Sequence, residues 1–259
     1  MNLWEQAAWP DIARKLSDYP AAILPVGATE QHGPHMGCGM DAVLADKLCR
    51  AVAKSTGVLM LPTLPYGCSL GHSQRWPGTI ALQPKTMIDL IKEIGDWAYI
   101  SGARRLFIVN THVTNVAPLR CALEMLRAEH DDMMVALFNS ATLSERVRTM
   151  HFADGNDWHA NDAETSLMLA VAPEMVDESQ IADADDPDRT DGLVFPHPVN
   201  RTSLNGVTGK PSLASKDKGD LLFQWMAEDL GELIRKGLNE KPPLNHSYFS
   251  HGESLINEN

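Results

Sequence analysis

Short apolar runs alternate with amphipathic stretches along most of this chain. Residues 21–26, 58–61, 106–109 and 133–138 are rich in aliphatics and apolar on both alternating faces, the pattern of strands buried on two sides. Helical spacing fills the intervals. Residues 41–52 form a first helical stretch. Residues 86–100 carry Ile88, Ile91, Ile94 and Trp97 and stop at Gly102, and residues 116–129 carry Leu119, Leu123 and Leu126. A last helix, residues 215–237, gathers Leu222, Trp225, Met226, Leu230 and Leu233 on one face. The alternation predicts an α/β fold, a layered domain spanning residues 1–259 with a mostly parallel central sheet flanked by helices. In such sheets the loops leaving the strand C-terminal ends carry the site, here residues 30–41 and the loop after Val109. Residues 183–212, rich in Asp, Pro, Gly and Asn, lack periodicity and are expected to form long ordered loops near the site mouth.

Charge narrows the partners. The chain carries 22 Lys+Arg against 34 Asp+Glu, a formal net charge of -12, with no basic cluster. That argues against nucleic acid and against an anionic membrane surface. Asp183, Asp185, Asp186, Asp188 and Asp191 account for part of the acidity and are expected to be a solvated loop. No apolar run reaches the length of a membrane span, and the N-terminus lacks a basic region followed by an apolar run. Cys38, Cys49, Cys68 and Cys121 form no C-x-x-C pair. Reduced thiols in a cytoplasmic protein are the expectation, with Cys38 and Cys68 as small packing residues.

The chemistry concentrates after the strands. Glu30 and His32 are two apart, so on an extended chain both point to the same side. The glycines and proline between them and Asp41 permit a tight return that brings this second carboxylate alongside. Carboxylate, imidazole and carboxylate on a strand-end loop form a ligand set for a divalent ion of the zinc, manganese or iron class. His112, in Asn110-Thr111-His112-Val113-Thr114-Asn115, directly follows a strand and is placed to reach Glu30 and Asp41, while Asn115 is expected to cap the next helix. Glu164 opens the apolar helix through Val171, either as a capping carboxylate or as a fifth metal ligand, and His159 precedes it by five residues. His72, between Gly71 and the Trp76-Pro77-Gly78-Thr79 turn, is a candidate substrate contact or proton carrier.

Taken in order, these segments resemble the creatininase family of metal-dependent amidohydrolases. The family pattern runs Glu-x-His-Gly-x-His then Asp, Gly-x-Ser-x-x-His with Pro-Gly-Thr, Asn-Gly-His with Asn, His-Ala-Gly-x-x-Glu-Thr-Ser, and Gly-x-x-Gly-x-Pro. This chain presents residues 30–41, 67–79, 110–115, 159–166 and 206–211 in those places. The resemblance implies two divalent ions per chain, Zn, Mn or Fe. Glu30, Asp41 and His112 would hold one ion, and His32 the other, with Asp41 as the bridge. Creatininase itself completes the second ion with a Glu two residues after the Asn-Gly-His histidine. Thr114 stands there in this chain, and Glu164 is the obvious replacement. Asn-Gly-His has become Asn110-Thr111-His112 and His-Ala-Gly has become His159-Ala160-Asn161, changes that bear on the substrate pocket and against creatinine as the substrate.

The resemblance further implies hydrolysis of a non-peptide C–N bond, in a cyclic amide or formamide, by a hydroxide bridging the two ions. His159, which resembles the family's proton-transfer histidine, is the expected acid–base, with His72 second. Trp158 and Trp76 would line the pocket around a flat small amide, joined by Ser69 and His35. Alternatives are deformylation of a formylamino-pyrimidine nucleotide, trimming of a short modified peptide, and a metal-binding protein without catalysis. By the same resemblance a homo-oligomer, a hexamer, is expected.

Overall fold

The computed structural model describes residues 2–72, 74–244 and 247, so part of the expected 1–259 domain lies outside the described residues. Four strands form one parallel sheet in the order β2-β1-β3-β4: β1 (Ala21–Val26), β2 (Leu59–Met60), β3 (Arg105–Asn110) and β4 (Met134–Asn139). Ile23 lies opposite Met60 on one neighbour and Phe107 on the other, and Phe107 lies opposite Ala136. The helices are α1 (Trp9–Asp18), α2 (Met40–Thr56), α3 (Pro84–Ile100), α4 (Val116–Glu129), α5 (Glu145–His151), α6 (Asp162–Val171), α7 (Glu178–Ile181), α8 (Val199–Thr202) and α9 (Lys216–Asn239).

The period of two along each strand sorts the core into two layers. Ile23, Phe107 and Val109 pack with α2, α6 and α9, through Leu44, Leu48, Leu167, Met168, Leu222 and Met226. Ala22, Leu24, Leu106 and Ile108 face the other way, onto Ile91 of α3 and Leu119 and Leu126 of α4. The expected α/β architecture is therefore present, a parallel sheet covered on both faces.

Local details depart from the expectations. Strand 58–61 pairs only over Leu59–Met60, because it is an edge strand that β1 meets for two residues. Helices α1 and α5 have no counterpart in the pattern reading; Leu16 is the buried residue of α1, and Val147 and His151 are those of α5, too few to make a periodic stripe. Trp97 is 67% exposed, since the buried stripe of α3 runs through Met87, Ile91, Gly95 and Ala98 and turns Trp97 outward. The acidic segment is a solvated loop only in part: Asp183, Asp185 and Asp191 are exposed, whereas Asp186 is buried. Buried Asp186 accepts from Leu204 N (2.7 Å), Ser203 Oγ (2.8 Å) and Arg189 (2.6 Å), and Asp185 accepts from Ser212 N (2.9 Å). These carboxylates tie the long irregular stretches on either side of α8 together.

Candidate metal centre

The site lies at the C-terminal ends of β1 and β3, where two loops meet the first turns of α2 and α6. Gly27 sets the distance. A Cβ there would fall 2.5 Å from Ala42 Cα, so only glycine lets α2 start against the end of β1. That approach places Asp41, the second residue of α2, beside the loop. Glu30 N–H donates to Cys38 O (2.7 Å) and closes the return between them, and Thr111 Oγ donates to Asp41 O (2.8 Å), tying the β3 loop to the start of α2.

Seven side chains converge, all but His159 fully buried. His112 lies between two carboxylates, Nε2 at 3.2 Å from Glu30 Oε2 and Nδ1 at 3.3 Å from Asp41 Oδ2. His72 Nε2 and His159 Nδ1 both approach Glu30 Oε1, each at 3.4 Å. His32 Nδ1–H donates to Glu30 O (3.0 Å), which leaves Nε2 facing Asp41 Oδ1 at 3.9 Å. The His159 ring stands 4.5 Å, centroid to centroid, from both His32 and His72. Glu164 divides its role. Asn161 caps α6 by accepting from Glu164 N (3.1 Å), and Glu164 Oε2 accepts from Ala160 N (2.6 Å), with Ala160 held at φ 51°, a left-handed conformation costing a non-glycine residue about 1 kcal/mol. A ligand atom of Glu164 nevertheless lies within 4.8 Å of those of His32 and His159.

Burial raises the Glu30 carboxyl above the usual range, opposed chiefly by His112. Glu164 is pushed up to about 7, first by burial. His112 is lowered by burial but carried up to about 10 by Glu30 and Asp41. His32 is likewise opposed by burial yet raised, by Asp41, Glu164 and Glu30. Burial and neighbouring imidazoles depress His72 to about 3 and His159 well below its ordinary value.

Among the described residues, the ion-pair partners of Glu30 and Asp41 are histidines. Both Glu30 oxygens and Asp41 Oδ2 are buried without a hydrogen-bond donor. Anionic oxygens so placed carry a large desolvation penalty unless a cation compensates it. Their ligand atoms cluster at coordination spacing, as Glu30–His32–Asp41, His32–His159–Glu164 and Glu30–His72–His159. The residues present thus fit divalent ions favouring mixed oxygen and nitrogen donors.

The remaining sequence-predicted residues occupy varied places. Ser69 Oγ lies 3.1 Å from His112 Nε2. Trp158 packs on His151 and Phe152 and, with Asn110, His112, Phe152 and Asn156, lines a cavity of about 270 Å³. Trp76 is half-buried 6.4 Å from the His72 ring and carries the Arg75 guanidinium at 4.8 Å. His35 is buried with Nε2 at 2.8 Å from Thr165 Oγ, against the α6 backbone. Asn115 makes no side-chain cap. Its amide instead joins Cys68 N (2.8 Å), Gly27 O (3.0 Å) and Asn110 Oδ1 (3.1 Å), locking three segments behind the site. The Thr114 hydroxyl contacts Cys68 O and His112 Nε2 and brings no carboxylate. Gln31 escaped the sequence reading altogether. It is 4% exposed between Glu30 and His32, and a polar residue on the opposite alternation gives no signal of what it meets.

The family model described as creatininase, creatinine amidohydrolase, matches residues 5–234. The creatinine amidohydrolase of Pseudomonas putida is 31% identical over 85% of this chain and 90% of its own length. The mycofactocin precursor peptide peptidase of Mycobacterium ulcerans is 32% identical over 82% of this chain and 84% of its own length. A solved creatininase variant superposes with a TM-score of 0.82 at 28% identity, covering 93% of this chain and 100% of that one, and creatininase structures in manganese and Zn–Zn forms superpose at 0.78. The chain therefore belongs to the creatininase family of hydrolases.

Proposed function

We propose that this protein is a metal-dependent amidohydrolase cleaving a non-peptide C–N bond, in a cyclic amide or formamide, of a small molecule. The observation carrying this reading is the set of donorless buried oxygens on Glu30 and Asp41 among four imidazoles. In it Glu30, Asp41, His112, His32 and Glu164 would hold two divalent ions, with Zn, Mn or Fe as candidates. The ions would supply an acidified water and polarisation of the amide carbonyl.

The chain's own residues move the protons. His159 is held neutral by burial and by His32, so its Nδ1 begins as an acceptor facing Glu30 Oε1. It takes a proton from the attacking water and returns it to the leaving nitrogen. His72 is the second candidate for that transfer. The cavity beside His112 is walled by Phe152 and Trp158 and furnished with the amides of Asn110 and Asn156, which suits a flat, neutral amide. Among the described residues its lining has no Lys or Arg, and Arg75 spends its guanidinium on the carbonyls of Asn200, Ser203 and Leu204, which weighs against a nucleotide substrate. Trimming of a short peptide is the second reading, supported by a peptidase relative that is as similar as the amidohydrolase.

The same reading treats residues 1–259 as one metallohydrolase domain acting in the cytoplasm as a homo-oligomer. No helix among the described residues is long and apolar enough to cross a membrane. Trp9, Trp97 and Ile100, 79%, 67% and 64% exposed, are apolar side chains that an assembly would cover.

The test is elemental analysis of the purified protein, then assays on lactams, formamides and short peptides with the ion found. Metal-dependent hydrolysis of a lactam or formamide is expected. Turnover of peptides alone would favour the second reading, and metal uptake without any C–N hydrolysis would leave a binding protein.

A further inference from the structure

Gln31 touches four of the five site segments. Its N–H donates to Thr79 Oγ (2.9 Å), and its side-chain Oε1 accepts from Gly33 N (2.9 Å). Because Oε1 is engaged with a backbone N–H, the orientation of the amide is fixed and Nε2 points the other way. Within reach of Nε2 are Gly206 O (3.0 Å), His72 Nδ1 (2.9 Å) and His159 Nε2 (3.1 Å). Space for this amide is reserved by the fold. A Cβ at Gly206, which has φ 92°, would fall 2.1 Å from Gln31 Oε1.

An amide nitrogen carries two hydrogens, and the three neighbours are not equivalent. Gly206 O only accepts, so it takes one hydrogen. His159 Nε2 lies 2.8 Å from the backbone carbonyl of Gln31, which also only accepts, so Nε2 of His159 bears its own proton. The 3.1 Å contact is therefore between two donors. The second Gln31 hydrogen goes to His72 Nδ1, which is bare. Both rings then carry their proton on Nε2, yet they show Glu30 Oε1 opposite atoms. His72 Nε2 and the unprotonated Nδ1 of His159 each lie 3.4 Å from that oxygen, and neither contact is a hydrogen bond.

We infer that Gln31 is a positioning residue that fixes both rings in the Nε2–H tautomer, so that of the two only His159 presents an unprotonated nitrogen to Glu30. Its carbonyl sets His159 and its carboxamide sets His72. With the carboxamide in place, His72 cannot compete for the proton that His159 must take up. The consequence for catalysis rests on the amidohydrolase reading, whereas the tautomer assignment stands on the hydrogen bonds.

The experiment is 15N spectroscopy of the full-length, zinc-loaded protein with 15N-labelled histidine, the two rings assigned from His72→Asn and His159→Asn. Protonated Nε2 and bare Nδ1 on both rings are expected. In Gln31→Glu the carboxylate cannot donate, so His72 should move its proton to Nδ1 while His159 keeps Nε2–H. Gln31→Met, which neither donates nor accepts strongly, should leave His72 without a single tautomer and serves if the Glu variant does not fold. On a substrate the enzyme hydrolyses, kcat should fall at least about tenfold in either variant, with KM and zinc content within about twofold, the scale of an outer-shell orienting contact. A wild-type His72 protonated on Nδ1, or a His72 spectrum unchanged in both variants, overturns the assignment. Failure to hydrolyse any amide would instead defeat the functional reading and leave the spectra to decide the tautomers.

Discussion

Asp41 is asked to serve two neighbours. One oxygen meets His112 Nδ1 at 3.3 Å and the other faces His32 Nε2 at 3.9 Å, so the carboxylate would serve both proposed ions. Asp41→Asn keeps the shape and removes the charge, and it should lose both ions, read by elemental analysis after dialysis. Two tightly bound ions per chain in that variant would exclude Asp41 as a bridge. Glu164 shows why residue type alone is ambiguous. Its Oε2 behaves as a helix-start acceptor from Ala160 N, while its charge bears on His32 strongly enough to help raise that imidazole. Capping and ligation are compatible here because a carboxylate has two oxygens.

At the scale of elements, α5 and the turn after it hold the wall of the cavity. His151 ends α5 fully buried against Trp158, and neither ring nitrogen has a hydrogen-bond partner among the described residues. Burial lowers its pKa to about 4. The folded state therefore binds the proton less readily than the unfolded chain, whose histidine titrates near the ordinary value. The stabilisation is complete above that value and is lost as pH falls toward 4. At pH 5 it amounts to a loss of roughly 2 kcal/mol from this one group. His151→Phe leaves no nitrogen to protonate and should reduce the decline in urea stability between pH 7 and pH 5 by about that amount. Equal declines in the two proteins would show that His151 is not a neutral buried group.

For the whole molecule, the loops beyond the C-terminal ends of the strands bury acids, Glu30, Asp41 and Glu164, that oppose folding until compensated. Ions that bind the folded chain alone stabilise it by about 2.7 kcal/mol at a hundred times their Kd. For a chain of this size that corresponds to roughly 5–10 °C in Tm. Treatment with a chelator should lower Tm by that order, and zinc should restore it. A Tm indifferent to both would mean that the cluster is balanced by its own histidines.

Periodicity and strand-end chemistry carried much of the plan. Four aliphatic runs became β1 to β4 within a residue or two, since burial on both faces leaves a local signature. Glu30, His32 and His112 were legible because each lies on a loop leaving the C-terminal end of a strand of a parallel sheet, where sites form. What lay beyond reach were partnerships across long stretches of chain. Gln31 meets His72, His159 and Gly206 at separations of 41, 128 and 175 residues. Asn115 reads as a cap but bonds to Gly27 and Cys68, and within the largely exposed acidic run Asp186 alone is buried and bonded to Leu204. A polar side chain does not announce its acceptor. Sequence by itself determined which segments become strands and helices and which ligand-type groups lie at their ends, because those follow from local burial and backbone geometry. Only the tertiary structure decided which of those groups face one another, because hydrogen-bond and ion partners depend on distances that folding alone establishes.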